Sequence, residues 1–433
     1  MTHYALYLSQ TQFFISLAFM LLFMALELGL SWVLFYFRIR TYGKARDAWM
    51  GAYRFWVRVF ALAFIVSFAA AMPVLIQFGS LWPGLMAVMG EVAGPLLAAA
   101  MLSLFIFKSC FLGLMLFGLR NLSRFMHTVV VFMVALGVSF SSLCLLALVA
   151  WMHEPTGVAL LDGRYLLVDW LEVLRTPALL RYAALFFASS FTVVAGFLIG
   201  LIAWQTMRRP ASESERLALK TGSWIAVLAL CSQLALVSSH YAWPVTTGLP
   251  DAVSQAVLAV QAVQDSDADA LENLPETELW DAQTMAAPSN VAQAQESAAP
   301  VLWLAIWSYR LAMISGAFLL VLGSWTLLRL FRFGFDPHAL SHSTRQLLTW
   351  APGLSWLTLL GGAAFVFFGT APYIIGEQVL FTDVMARHSV WTLGLGTLML
   401  LFVYIVCFYG FYRMVRHVVR FGVVPVARHR GRA

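Results

Sequence analysis

The chain has 433 residues, 61% of them hydrophobic and only 11% charged, with a mean hydropathy of +0.82. An ordinary soluble domain carries about 25% charged residues, so a purely aqueous protein is excluded and lipid is the expected solvent. The formal charge of +6 does not point to nucleic acid, because Lys and Arg fall in short clusters between apolar runs rather than along one basic face.

The N-terminus lacks the basic stretch, short apolar core and small-residue cleavage site of a removable signal peptide, so the first apolar run is expected to remain as a helix. Crossing the hydrocarbon takes about 20 apolar residues. Nine runs reach that length, at roughly 13–37, 57–77, 92–118, 125–151, 182–205, 221–239, 300–328, 347–368 and 390–412. The fold class expected is therefore an all-α integral membrane bundle, a single domain over 1–433. The segments 38–56, 119–124, 206–220 and 329–346, with the tail after 412, hold 20 of the 27 Lys and Arg residues. By the positive-inside rule these face the cytoplasm, which puts the N-terminus in the periplasm and the C-terminus in the cytoplasm.

The longest connection, about 241–299, contains nine Asp or Glu and no Lys or Arg, and is expected as a periplasmic acidic loop. Val253, Leu258, Val260 and Val263 suggest a short helix within it, while its Ala, Gln, Ser and acidic bias suits a mobile segment. Cys110, Cys144, Cys231 and Cys407 all lie in apolar runs and are expected as small core residues rather than disulfide partners or metal ligands. No internal repeat and no Gly-rich nucleotide loop is evident.

Three ionisable residues stand inside apolar runs, where such groups are expensive and mark functional sites by default. Glu27 lies about 15 residues into the first helix and Lys108 about 16 into the third, which runs the same way. At about 1.5 Å per residue both are roughly 23 Å deep, so an ion pair between them is expected. Arg310 sits about ten residues into the seventh helix and needs an anion or a carbonyl oxygen. Gln77, with Gly79 and Trp82 at the outer end of the second helix, reads as a helix-terminating turn with an interfacial Trp. The nine histidines all fall at helix ends, in loops or in the tail, and His127 is expected at the cytoplasmic interface beside Arg120 and Arg124.

From Leu8 to about Met207 the order of residues resembles subunit I of the cytochrome bd family of quinol oxidases. The points of similarity are Leu8, Ser9 and Gln12-Phe13, then Phe55-Trp56, Gln77-Phe78-Gly79 with Trp82, and the run from Phe111 to Gly118. Val134-Ala135-Leu136-Gly137 and Trp151-Met152 with Pro155 continue it. Further on, Arg310 with Gly316 matches, and Gly369-Thr370-Ala371-Pro372-Tyr373 resembles a degraded form of the family's Gly-Arg-Gln-Pro-Trp motif. The resemblance implies a bacterial inner-membrane protein in respiratory electron transport from quinol to oxygen, paired with a second membrane subunit, with b- and d-type haems and a quinone.

The resemblance also assigns axial haem ligands, and here the residues depart from it. The first-helix His position is Met20, the fifth-helix His position Leu185, the seventh-helix Met position Ala312 and the eighth-helix Glu position Phe367. Leu, Ala and Phe offer iron no lone pair. The third-helix acids of the family's proton route are Ala100 and Lys108, and the motif Arg is Thr370. Met20, Arg310 and Gln77 remain the candidate cofactor contacts. Three readings follow: an oxidase subunit with unusual ligands, a non-catalytic scaffold or regulatory subunit, and a quinone-binding or proton-conducting descendant. An inverted-repeat transporter fits less well, since nine helices do not divide evenly.

Overall fold

The computed structural model describes residues 3–161, 163–240, 289–376, 378–386 and 388–421. The acidic loop, apart from its last residues from Ser289 on, lies outside them, as do its expected short helix and the end of the tail. In lipid every backbone N–H and C=O must be satisfied within the chain, and helices do this segment by segment. Among the described residues nine helices or helix series are long and apolar enough to cross a membrane.

The spans are α1 (His3–Arg40), α2 (Arg46–Ser80), and a third built from α3 (Pro83–Ser103), a π-helical stretch (Leu104–Cys110) and α4 (Phe111–Phe117). After a 3-10 turn come α5 (Arg124–His153), the short α6 (Trp170–Leu174), α7 (Pro177–Thr206) and α8 (Glu213–His240). The last three spans are α9 (Ser289–Arg332), α10 (His342–Leu348) running into α11 (Ala351–Phe368), and α13 (Val390–Phe421), preceded by the single turn α12 (Phe381–Val384). The helices outrun the apolar stretches that predict them. Arg46–Phe55, expected as loop, is already helical, because the basic residues at span ends are good helix formers and extend the helices into the interface.

Two small antiparallel pairs cap one end of the bundle. β1 (Val158–Leu161) pairs with β2 (Arg164–Leu167) in the register Val158 to Leu167, and β3 (Tyr373–Ile375) pairs with β4 (Val379–Leu380). Gly157, at φ +71°, lets its carbonyl receive the amides of Val168 and Asp169, where a Cβ would collide with the Asp169 carbonyl. The Gly376 amide donates to the Met152 carbonyl and the Ala386 amide to Leu81, which ties the second pair and the segment after it to the end of α5 and to the α2–α3 turn. This is the hairpin end; the opposite end carries the basic clusters.

α1, α5 and α7 form the centre, with 61%, 61% and 78% of their apolar windows buried, while α13 at 11% lies at the periphery. Small residues allow the closest approaches. A Cβ on Gly29 would collide with the Ser190 carbonyl of α7, and one on Gly361 would come within 2.6 Å of the Ser308 carbonyl of α9. The cysteines correct expectation in part: Cys144 is buried, but Cys110 and Cys231 face outward. Their segments are apolar because they meet lipid, and periodicity alone does not separate a lipid-facing side from a core-facing one.

Candidate functional site

The four places that the resemblance gives to axial ligands are spread over α1, α7, α9 and α11. Met20 is 6% exposed on α1, two turns below Gln12, within the main core. Phe367, near the end of α11, packs against Phe13 at 5.9 Å, Phe14 at 5.4 Å and Phe381 at 6.3 Å between ring centroids. Ala312 of α9 abuts Gly361 of α11. Deeper in, Phe23 meets Trp356 at 5.6 Å and Phe411 at 5.0 Å, and Trp356 meets Phe197 at 4.9 Å. Side chains therefore fill the interior that these helices share.

Polar ties join the same helices directly. On one side Gln233 of α8 donates to Ser189 of α7 and accepts from Thr192 at 3.1 Å. On the other, Ser315 of α9 and Thr358 of α11 share a hydrogen bond of 2.8 Å. Below this level a crevice lined by Gly196, Ala226, Leu230, Leu319, Gly323 and Ala351 is apolar apart from Thr192.

A haem held through the inherited positions does not fit these residues. Three of the four side chains are hydrocarbon, Phe367 is locked among rings, and Ala312 leaves no room for a longer side chain against α11. His153 reaches the residue before Phe367, but its two ring nitrogens are directed at the carbonyls of Val149 (2.8 Å) and Val366 (3.2 Å). Among the described residues no three His, Cys, Asp or Glu gather as a metal-binding group.

The candidate contacts fall in different regions. Gln77 does end α2, its carbonyl receiving the amides of Leu81 and Trp82. Its side chain, however, is buried and donates to Ser16 at 3.0 Å. Trp82, at the end of the second span, is enclosed by protein: it is 1% exposed and packs edge-on to Phe13 and Phe381. Arg310 lies half-buried on α9, its guanidinium 5.1 Å over the Trp307 ring toward the hairpin end. It stretches along the helix toward the interface, as long basic side chains do. Glu27 is completely buried, while the Lys108 side chain lies outside what the structure describes, so their pairing stays a proposal.

Further polar groups are buried at the two ends of the bundle. At the basic end Arg38 donates to the Arg124 carbonyl at 3.1 Å, and the Tyr53 ring stands edge-on to His127. His127 itself, in the first turn of α5 at that end, is wholly buried, with Nε2 3.2 Å from the Met115 carbonyl. The helix start of α5 tucks beneath the α4 turn, which its position beside Arg124 did not reveal. At the hairpin end Ser9, Gln12, Ser16, Gln77, Thr397 and Tyr404 are all buried between α1, α2 and α13. Polar residues three and four apart in an otherwise apolar α1 were the available signal.

Residues 8–423 match the family model described as cytochrome bd terminal oxidase subunit I. The chain belongs to that family. It is 27% identical over 234 residues to the cytochrome bd-II ubiquinol oxidase subunit 1 of Escherichia coli K12, covering 54% of this chain and 46% of that one. It is 26% identical over 241 residues to the cytochrome bd ubiquinol oxidase subunit 1 of Bacillus subtilis 168, covering 54% and 50%. The alignments thus span about half the length of these curated relatives. The fold is shared with the bd oxidase of Geobacillus thermodenitrificans, at a TM-score of 0.75 and 18% identity over 96% of this chain and 100% of that one. As a bd-family subunit I with nine candidate spans, the chain is a multi-pass protein of the bacterial cytoplasmic membrane.

Proposed function

We propose that this chain is a haem-free, non-catalytic subunit of a bd-type membrane complex, keeping the frame of a respiratory quinol oxidase subunit while a partner carries the redox chemistry. One observation carries this reading. Phe367 stands where the family places an axial glutamate and is packed into an aromatic cluster with Phe13, Phe14 and Phe381. Iron needs donor atoms, and hydrocarbon has none.

A second membrane subunit is the partner class that the family implies, and the little-buried α13 supports an additional protein or lipid neighbour. The orientation with the basic clusters in the cytoplasm belongs to this proposal and rests on the positive-inside rule. A quinone-contacting descendant draws on Arg310, whose Nε has no hydrogen-bond partner among the described residues. That reading expects Arg310→Leu to weaken quinone binding to the purified complex.

The deciding experiment is a pyridine haemochrome assay and a reduced-minus-oxidised spectrum of the purified complex, with this polypeptide then separated from its partner. Pigment should follow the partner. Stoichiometric haem retained by this chain overturns the proposal.

A further inference from the structure

α1 carries its polar residues along one buried stripe at the hairpin end. Ser9, Gln12 and Ser16 follow one another at three and four residues, which places them on one face. Gln77 of α2 donates to Ser16 at 3.0 Å, and the Ser16 hydroxyl donates to the Gln12 backbone carbonyl at 3.2 Å. Thr397 of α13 donates to the Gln12 side chain at 3.4 Å. The seam descends about 10 Å along α1 from Ser9 to Ser16 at 1.5 Å per residue.

These bonds leave hydrogen-bonding capacity over. Among the described residues Ser9 Oγ, Gln77 Oε1, Trp82 Nε1 and the Tyr404 hydroxyl are buried and without a hydrogen-bond partner. Tyr404 faces Ser16 without reaching hydrogen-bond geometry. Leaving such atoms unsatisfied costs about 1–3 kcal/mol each, so four in one seam are not left dry by a stable fold. The set has a character: one carbonyl acceptor, one indole donor and two hydroxyls that do either, with no charged side chain among them. Ions and carboxylates are poorly served by it. A small neutral molecule that both donates and accepts is well served.

We propose that this seam is a hydration vestibule, holding internal water between α1, α2 and α13 and open to exchange from the hairpin end. It has a floor. The Phe19 ring stacks on Tyr404 at 4.4 Å, and beneath it Phe23 packs against Trp356 and Phe411. Water enters from one side and stops near Met20, so the vestibule hydrates the upper interior and conducts nothing across the membrane. This inference goes beyond the proposed function and stands whether or not the complex carries pigment.

Hydroxyl-radical footprinting by synchrotron X-rays reads it directly, because radicals formed from internal water label side chains beside that water. The full chain in lipid nanodiscs, with any copurifying subunit, is exposed and its tryptophans are quantified by mass spectrometry. Trp82, Trp151 and Trp356 are nearly equally hidden, at 1%, 0% and 7% exposure. Trp151 and Trp356 already donate to the carbonyls of Thr156 and Leu22. Trp82 should label at least about fivefold faster than either. A Ser16→Ala, Gln77→Leu double variant should bring Trp82 down toward the other two. Equal rates for the three tryptophans in the unmodified chain overturn the proposal, whatever the variant does.

Discussion

Phe13 of α1 and Phe367 of α11 lie ring against ring, centroids 5.9 Å apart and planes inclined by 29°. Returning a carboxylate to the second position by Phe367→Glu places an acid among the rings of Phe13, Phe14, Phe368 and Phe381. Thermal unfolding in detergent should show a loss of several kcal/mol, since burying an unpaired ionised group is costly. The variant should acquire no porphyrin, because the other positions still lack donors. A stable, pigmented Phe367→Glu protein contradicts this account.

The α9–α11 contact depends on a missing side chain. A Cβ on Gly361 would lie 2.6 Å from the Ser308 carbonyl and 2.9 Å from Ala312 Cβ, whereas one on Gly362 would meet nothing within 4 Å. Gly361→Ala should therefore cost about 1–3 kcal/mol by forcing the helices apart. Gly362→Ala should stay within about 0.5 kcal/mol of the parent. Chemical unfolding of both in the same detergent compares them, and equal stabilities refute the close packing. Ala312→Met, which restores the family's side chain, should behave like Gly361→Ala.

Glu27 and Lys108 remain proposed partners at one level of the membrane. Lys108→Met alone should cost about 3–5 kcal/mol by stranding the carboxylate, and Glu27→Leu added to it should recover much of that loss. The comparison is a double-mutant cycle on expression and melting temperature. A double variant as impaired as the single one removes the pair.

Tyr165 offers a pH dependence outside the membrane. It is buried beneath the hairpin cap, donates to Gln378 at 2.7 Å, and burial raises its hydroxyl above the ordinary value of 10.0. Between that value and the raised one the folded chain holds a proton that the unfolded chain has released. Its contribution is thus complete below about pH 10 and declines as pH climbs through this window. Tyr165→Phe should cost about 1 kcal/mol at neutral pH through the lost hydrogen bond. Its deficit should shrink above pH 10 in melting curves recorded from pH 8 to 11. A deficit that is constant or widens on the alkaline side contradicts this.

The spans were legible because lipid imposes one rule on a long stretch of residues, and each of the nine runs satisfies it in the structure. The π-helical stretch at Leu104–Cys110 was not, since no residue type marks it, whereas the hairpin at Val158–Leu167 pairs sequence neighbours and had a local signal in Gly163 at positive φ. The loss of donor side chains at Leu185, Ala312 and Phe367 could be read from residue types. What replaced the donors could not, because nothing in the spacing of Phe13, Phe14 and Phe381 says that they converge on Phe367. The enclosure of Trp82 was hidden for a similar reason: nothing near it in sequence says that Phe381 and Ala386 fold back onto the α2–α3 turn.

The placement of α1 at the centre bears on how the protein is made. α1 is synthesised before α2, α7 and α13, so Ser9, Gln12, Ser16 and Glu27, which end up sheltered, precede the helices that come to pack against them. A charged residue at mid-membrane costs about 2.5–3.5 kcal/mol during translocon-mediated insertion. Until those later spans arrive, α1 is thus poorly matched to bare lipid, and biogenesis has to shelter it.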